Sequence, residues 1–90
     1  MKCIIKGKTY DTEASTLMAD YEYGNGEGDT ITATIYRTEK GAWFASLFWK
    51  DSDSEEHLDF VALTQEEIDH IIATKTLSIY DDSFPLPEAA

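Results

Sequence analysis

From Thr30 to Trp49 the chain carries two runs of strict alternation joined by the short polar segment Glu39-Lys40-Gly41, and this pattern constrains the fold more than any other stretch. In the first run Ile31, Ala33 and Ile35 share one face, with Thr32, Thr34 and Tyr36 on the other. In the return run Trp43, Ala45, Leu47 and Trp49 alternate with Phe44, Ser46 and Phe48. Period-two alternation is the signature of β-strands, and Gly41 suits the left-handed residue of a tight hairpin connection. Apolar groups on both faces of the second run predict a central strand, covered by a helix on one side and by a partner on the other.

The flanking segments extend this hairpin into a sheet. Cys3–Lys6 and Thr9-Tyr10, separated by Gly7-Lys8, read as a short strand or a turn-interrupted pair. Thr16–Tyr23 places Leu17, Ala19, Tyr21 and Tyr23 on one side at period two, which favours a strand, while its Met18-Ala19 centre would also suit a helix. Gly24–Asp29 is the glycine-dense loop, and Leu58–Leu63 continues as a strand after the acidic turn Asp51–Glu56. At Thr64 the period changes. Thr64-Gln65-Glu66-Glu67 matches a capping box, Leu63 and Ile68 occupy the two staple positions, and Glu66, Glu67 and Asp69 lie where the helix dipole favours negative charge. Ile68, Ile71 and Ile72 form the inward stripe of a helix over about residues 65–74, with Lys75 expected in its last turn. Leu77–Tyr80 is a candidate edge strand, and residues 83–90, which include Pro85 and Pro87, are expected to be a flexible tail. The expected fold is α+β, one domain over residues 1–90, with an antiparallel sheet of four to five strands and one helix on one face.

Composition narrows the functional classes. Ninety residues bury only about 60–65% of their unfolded surface, which leaves no room for a second, substrate-binding domain. Apolar residues make up 42% and argue against disorder, despite 18 Asp plus Glu against 7 Lys plus Arg and a formal charge of −11. One cysteine, Cys3, excludes an internal disulfide and a four-cysteine zinc site. No apolar run approaches membrane-spanning length, so no membrane association is expected. The charge is uneven: Lys2, Lys6 and Lys8 make the first ten residues basic, whereas residues 11–30 and 51–60 are strongly acidic. A field of this sign repels phosphate backbones, which argues against direct nucleic-acid binding, and attracts basic protein surfaces.

The residues that carry chemistry form no catalytic constellation, and a non-enzyme without cofactor is expected. His57 follows Glu55-Glu56 in a polar turn and His70 lies on the helix; neither has a sequence neighbour at metal-ligand spacing, and both read as solvated surface histidines. Asp51-x-Asp53-x-Glu55 opens like a calcium loop, but Glu56 stands where that loop needs glycine and Ala62 where it needs its closing carboxylate. Gly24-x-Gly26-x-Gly28 sits among acids and precedes a strand, which is unsuitable for phosphate. Cys3 has no His beside it and reads as a small core residue.

Surface recognition remains. Alternate residues on an extended strand project about 6–7 Å apart, so Asp51, Asp53 and Glu55 would form a row spaced like neighbouring phosphates. With Asp20, Glu22, Glu27, Asp29, Glu56, Glu66, Glu67 and Asp69 they make up a candidate DNA-mimicking surface for a basic groove that normally holds nucleic acid. A second candidate is an assembly module that self-associates as a homodimer through an aromatic face of Tyr36, Phe44 and Phe48. A third is a small-molecule sponge gripping its ligand with Trp43, Trp49 and neighbouring tyrosines.

The opening Ile4-Ile5-Lys6-Gly7-Lys8-Thr9-Tyr10-Asp11-Thr12-Glu13-Ala14 resembles the I-I-x-G-K-x-Y-D-T-E-x-A start of small proteins encoded by phages and other mobile elements. Tyr36–Phe44 is similar to the second signature of that group, Y-R-T-x-x-G-x-W-F, and Leu63–Glu67 to its L-T-x-E-E helix start. The glycine-rich segment that often follows the hairpin there is replaced here by Leu47-Phe48-Trp49 and the acidic turn. No functional residue carries over from the group. The resemblance implies a mobile-element origin, where small acidic non-enzymes act as inhibitors of host defence, anti-CRISPR proteins among them. The expected partner is then a basic nucleic-acid-binding surface of a CRISPR effector or another defence protein in the host bacterial cytoplasm.

Overall fold

The alternating hairpin forms as the sequence predicts, and its polar link shows why it closes where it does. A computed structural model describes residues 1–85. Its strands are β1 (Lys2–Ile5), β2 (Lys8–Asp11), β3 (Thr16–Gly24), β4 (Thr30–Arg37), β5 (Trp43–Lys50), β6 (Glu56–Leu63) and β7 (Ser78–Ile79), with one helix, α1 (Gln65–Thr74), between β6 and β7. Between β4 and β5 the Thr38 carbonyl accepts from the Gly41 amide at 2.9 Å, and the Thr38 hydroxyl accepts from the Ala42 amide at 3.0 Å. Gly41 takes φ +86°, the left-handed conformation open to glycine at little cost.

Five strands make one antiparallel sheet in the order β6-β5-β4-β3-β7, and β1 pairs with β2 as a separate two-stranded unit. Register sorts the side chains onto two faces: Ile35 lies opposite Ala19 and Ala45, and Ala45 opposite Val61, while Tyr36 lies opposite Leu17 and Phe44. The first set faces α1. The expected alternation fails at one place, because β3 carries a bulge between Leu17 and Ala19. The inserted residue is Met18, so Met18 and Ala19 are both buried, and Leu17 moves to the opposite face and is exposed. Sequence periodicity cannot register an extra residue whose neighbours are all apolar.

The helix is set by its start. The Thr64 hydroxyl accepts from the Glu67 amide at 3.1 Å and the Glu67 carboxylate accepts from the Thr64 amide at 3.0 Å, closing the capping box. Ile68 and Ile71 are buried against Ile35, Trp43 and Ala45, and Ile72 packs at the margin. Lys75 sits one residue beyond the helix, at its C-cap, where its ammonium lies 5.5 Å from the centre of the Tyr23 ring. Arg37 lays its guanidinium over Trp43 at 4.9 Å, a cation–π contact beside an Nε that has no hydrogen-bond partner among the described residues.

Two features differ from what the sequence predicts. The tail does not begin at residue 83: Phe84 is buried, edge-on to Trp43 with ring centres 5.8 Å apart. Asp81 forms the turn that seats it, accepting from the Ser83 amide at 2.9 Å and the Ser83 hydroxyl at 2.5 Å. Residues 86–90 of the expected tail lie outside the described residues. Nor does Phe44 belong to an open aromatic face. The β1–β2 hairpin, turned through Lys6 and Gly7 at positive φ, folds Tyr10 onto Phe44 with ring centres 5.1 Å apart, and Phe44 has 0% exposure. The chain itself supplies the cover that was expected from a partner.

Candidate functional site

Sheet topology decides which acids meet. Four strands connected in sequence place the β3–β4 and β5–β6 loops at one end of the sheet and the β4–β5 turn at the other. Glu27 and Asp29 therefore share an end with Asp51, Asp53 and Glu55. Glu56 opens β6 there, opposite Lys50, and Glu22 projects two residues before the end of β3. The two loops are separated by about two strand spacings, roughly 10 Å. That is slightly more than the Debye length of about 8 Å at physiological salt, so their fields are partly screened from one another there and reinforce fully only at lower ionic strength. Two lysines stand at this end, Lys50 paired with Glu56 at 3.8 Å and Lys75 over Tyr23.

The remaining candidates lie elsewhere. Glu66 and Glu67 are at the opposite end, where Gln65 accepts from the Trp43 indole at 3.3 Å, and Glu67 is occupied by the capping box. Asp69 accepts from the Gln65 side chain at 3.1 Å. Asp20 points from the middle of β3 to the β7 edge, where it accepts from the Tyr80 hydroxyl at 2.6 Å and raises that hydroxyl above its ordinary pKa. One ridge uniting all eleven residues is not present; a dense acidic end built from seven of them is.

The two acidic loops share one hydrogen-bond design. Asn25 Oδ1 accepts from the amides of Glu27 at 2.8 Å and Asp29 at 3.3 Å, and Asp51 Oδ1 accepts from those of Asp53 at 2.9 Å and Glu55 at 3.0 Å. In each, the first amide also donates to the carbonyl of the fifth residue. The fourth residue takes positive φ: Gly28 at +93° and Ser54 at +62°. Asp51, Asp53 and Glu55 consequently lie in a tight turn instead of an extended row, which corrects the expected phosphate-like spacing. The turn condenses charge without repeating a backbone period.

His57, read from sequence as solvated, is a structural part of this end. Its ring stacks on Trp49 with centres 5.0 Å apart and an interplanar angle of 10°, and its Nε2 lies 2.8 Å from Asp51 Oδ2. The His57 hydrogen bond, followed by the Glu55 and Asp53 amides, holds the Asp51 carboxyl below the usual carboxylate range. The cue was the cross-strand pairing of Trp49 with His57, which appears only once the register of β5 and β6 is known. His70 lies exposed on α1, its carbonyl accepting from the Thr74 hydroxyl, and Cys3 is half-buried on β1, where burial pushes its thiol up.

The other surfaces are less organised. Of the aromatic-face residues, Tyr36 stacks beneath Phe44 at 5.2 Å and only Phe48 is open, at 39% exposure, beside Leu58 on β6. Trp43 is enclosed under α1 and cannot grip a ligand. An open cleft of about 700 Å³ lies between β2 and the β4–β5 turn, where Lys8 and Lys40 are offset by Asp11 and Glu39. No helix among the described residues is long and apolar enough to cross a membrane. Compared with protein-family models, curated proteins and solved structures, the chain matches none.

Proposed function

We propose that this chain is a non-enzymatic anti-defence inhibitor whose acidic sheet end docks into the basic, nucleic-acid-binding groove of a nucleic-acid-guided effector or defence nuclease and keeps nucleic acid out. The supporting observation is the placement of the β3–β4 and β5–β6 loops at one end of the sheet, which brings Glu22, Glu27, Asp29, Asp51, Asp53, Glu55 and Glu56 together. Carboxylates set this densely displace the counterions of an Arg/Lys groove as phosphates do, and association is steered and salt-dependent. The resemblance of the opening and hairpin segments to mobile-element proteins favours a defence protein as the target.

A defence-escape assay in bacteria, paired with pull-down of the effector at rising salt, tests this reading. Glu27→Gln combined with Asp53→Asn removes one charge from each loop at carboxylates that accept no hydrogen bond among the described residues, and is expected to reduce both escape and capture. Glu66→Gln, at the far end, is expected to leave both intact. Capture indifferent to salt and to the loop variants overturns the electrostatic mechanism.

A further inference from the structure

We propose that Asp51, Glu55 and His57 bind a borderline divalent cation of the Zn²⁺ type at the β5–β6 turn. The proposal goes beyond the inhibitor reading and does not depend on it, since a cation site needs no partner protein. Each of the three side chains offers one ligand atom, and these atoms all lie within 4.8 Å of one another. Neighbouring ligands around a metal with bonds of about 2.1 Å stand roughly 3–3.5 Å apart. The 2.8 Å between His57 Nε2 and Asp51 Oδ2 is already close to such an edge, and exposed Glu55 closes the third position by rotation about its own bonds.

Two of the ligands are held by contacts other than the one between them. The Trp49 ring stacks flat on His57 and directs Nε2 at the carboxylates. The amides of Asp53 and Glu55 occupy Asp51 Oδ1, so Oδ2, whose partner is His57 Nε2, is the oxygen that would take a metal once that hydrogen bond is exchanged for two metal bonds. The nearest lysine, Lys50, pairs with Glu56 and not with this group, so two carboxylates face a single imidazole. One nitrogen and two oxygens select a first-row metal such as Zn²⁺ over Ca²⁺ or Mg²⁺, which take all-oxygen ligand sets. Three protein ligands leave the remaining coordination positions to water, so binding at this exposed site is reversible.

The stacked tryptophan supplies the readout. Titrating the full chain with Co²⁺, a paramagnetic quencher, is expected to quench Trp49 fluorescence saturably at one equivalent and to leave the enclosed Trp43 emitting. Trp49→Phe is expected to abolish the quenching. Calorimetric titration with Zn²⁺ is expected to show one site whose Kd rises about tenfold or more in Glu55→Gln and His57→Gln, and is unchanged in Asp53→Asn. Glu55 is exposed, so its variant decides the matter even where His57→Gln disturbs the fold. Quenching that never saturates, or an equal loss in Asp53→Asn and Glu55→Gln, overturns the proposal by showing diffuse attraction of cations to an acidic surface.

Discussion

Asp81 shows how one carboxylate can hold a distant part of the core. Its hydrogen bonds from the Ser83 hydroxyl and amide lower its pKa, and the turn they make seats Phe84 against Trp43. A carboxyl depressed in the folded chain contributes stability that is present above its unfolded value, about 3.9, and is lost as pH falls through the lower folded value. Acidification below about pH 4 is therefore expected to release Phe84 before the sheet unfolds. Acrylamide accessibility of Trp43 in a Trp49→Phe background measures this, and Asp81→Asn is expected to show the raised accessibility already at neutral pH. No local pattern in Asp81–Phe84 announces the contact, because the partner ring lies some forty residues earlier; Pro85 and Pro87, one and three positions after Phe84, read as the end of structure.

At the scale of elements, the three hairpin links of the main sheet follow one plan with one exception. The fourth residue of each, Gly28, Gly41 and Ser54, takes positive φ, and only Ser54 carries a side chain there. A left-handed conformation costs a non-glycine residue about 1–2 kcal/mol, partly offset by the entropy glycine gives up on folding. Ser54→Gly is accordingly expected to stabilise the chain by about 0.5–1 kcal/mol, read as a shift in the midpoint of urea unfolding. The glycines at 28 and 41 were legible as turn residues because only that residue type marks the conformation. Ser54 was not, since serine occurs in many turns that require no positive φ. The capping box at Thr64 and Glu67 was legible for the opposite reason: every atom it uses lies within four residues.

For the whole molecule, the consequence of topology is a lopsided charge. Seven of the candidate carboxylates gather at one end, and their mutual repulsion opposes folding. Raising ionic strength from about 0.01 M to about 0.15 M shortens the Debye length from roughly 30 Å to 8 Å. Relief of about 0.5 kcal/mol corresponds to a rise in Tm of roughly 2–4 °C for a domain of this size. Thermal melts across that salt range are expected to show the rise, with a smaller slope in Glu27→Gln or Asp53→Asn than in Glu66→Gln. Equal slopes in all three variants would mean that the acids act as independent, solvated charges.

The order of strands and helix, the alternation of β4 and β5 and the boundaries of α1 were present in the order of amino acids, because each depends on periodicity or hydrogen bonds between near neighbours. Four features needed the folded chain: the Met18 bulge, the cover of Tyr10 over Phe44, the seat of Phe84, and the meeting of Glu27 and Asp29 with Asp51, Asp53 and Glu55. Each joins groups far apart in sequence, and their contact follows from strand register and connection, which no local pattern of residues encodes.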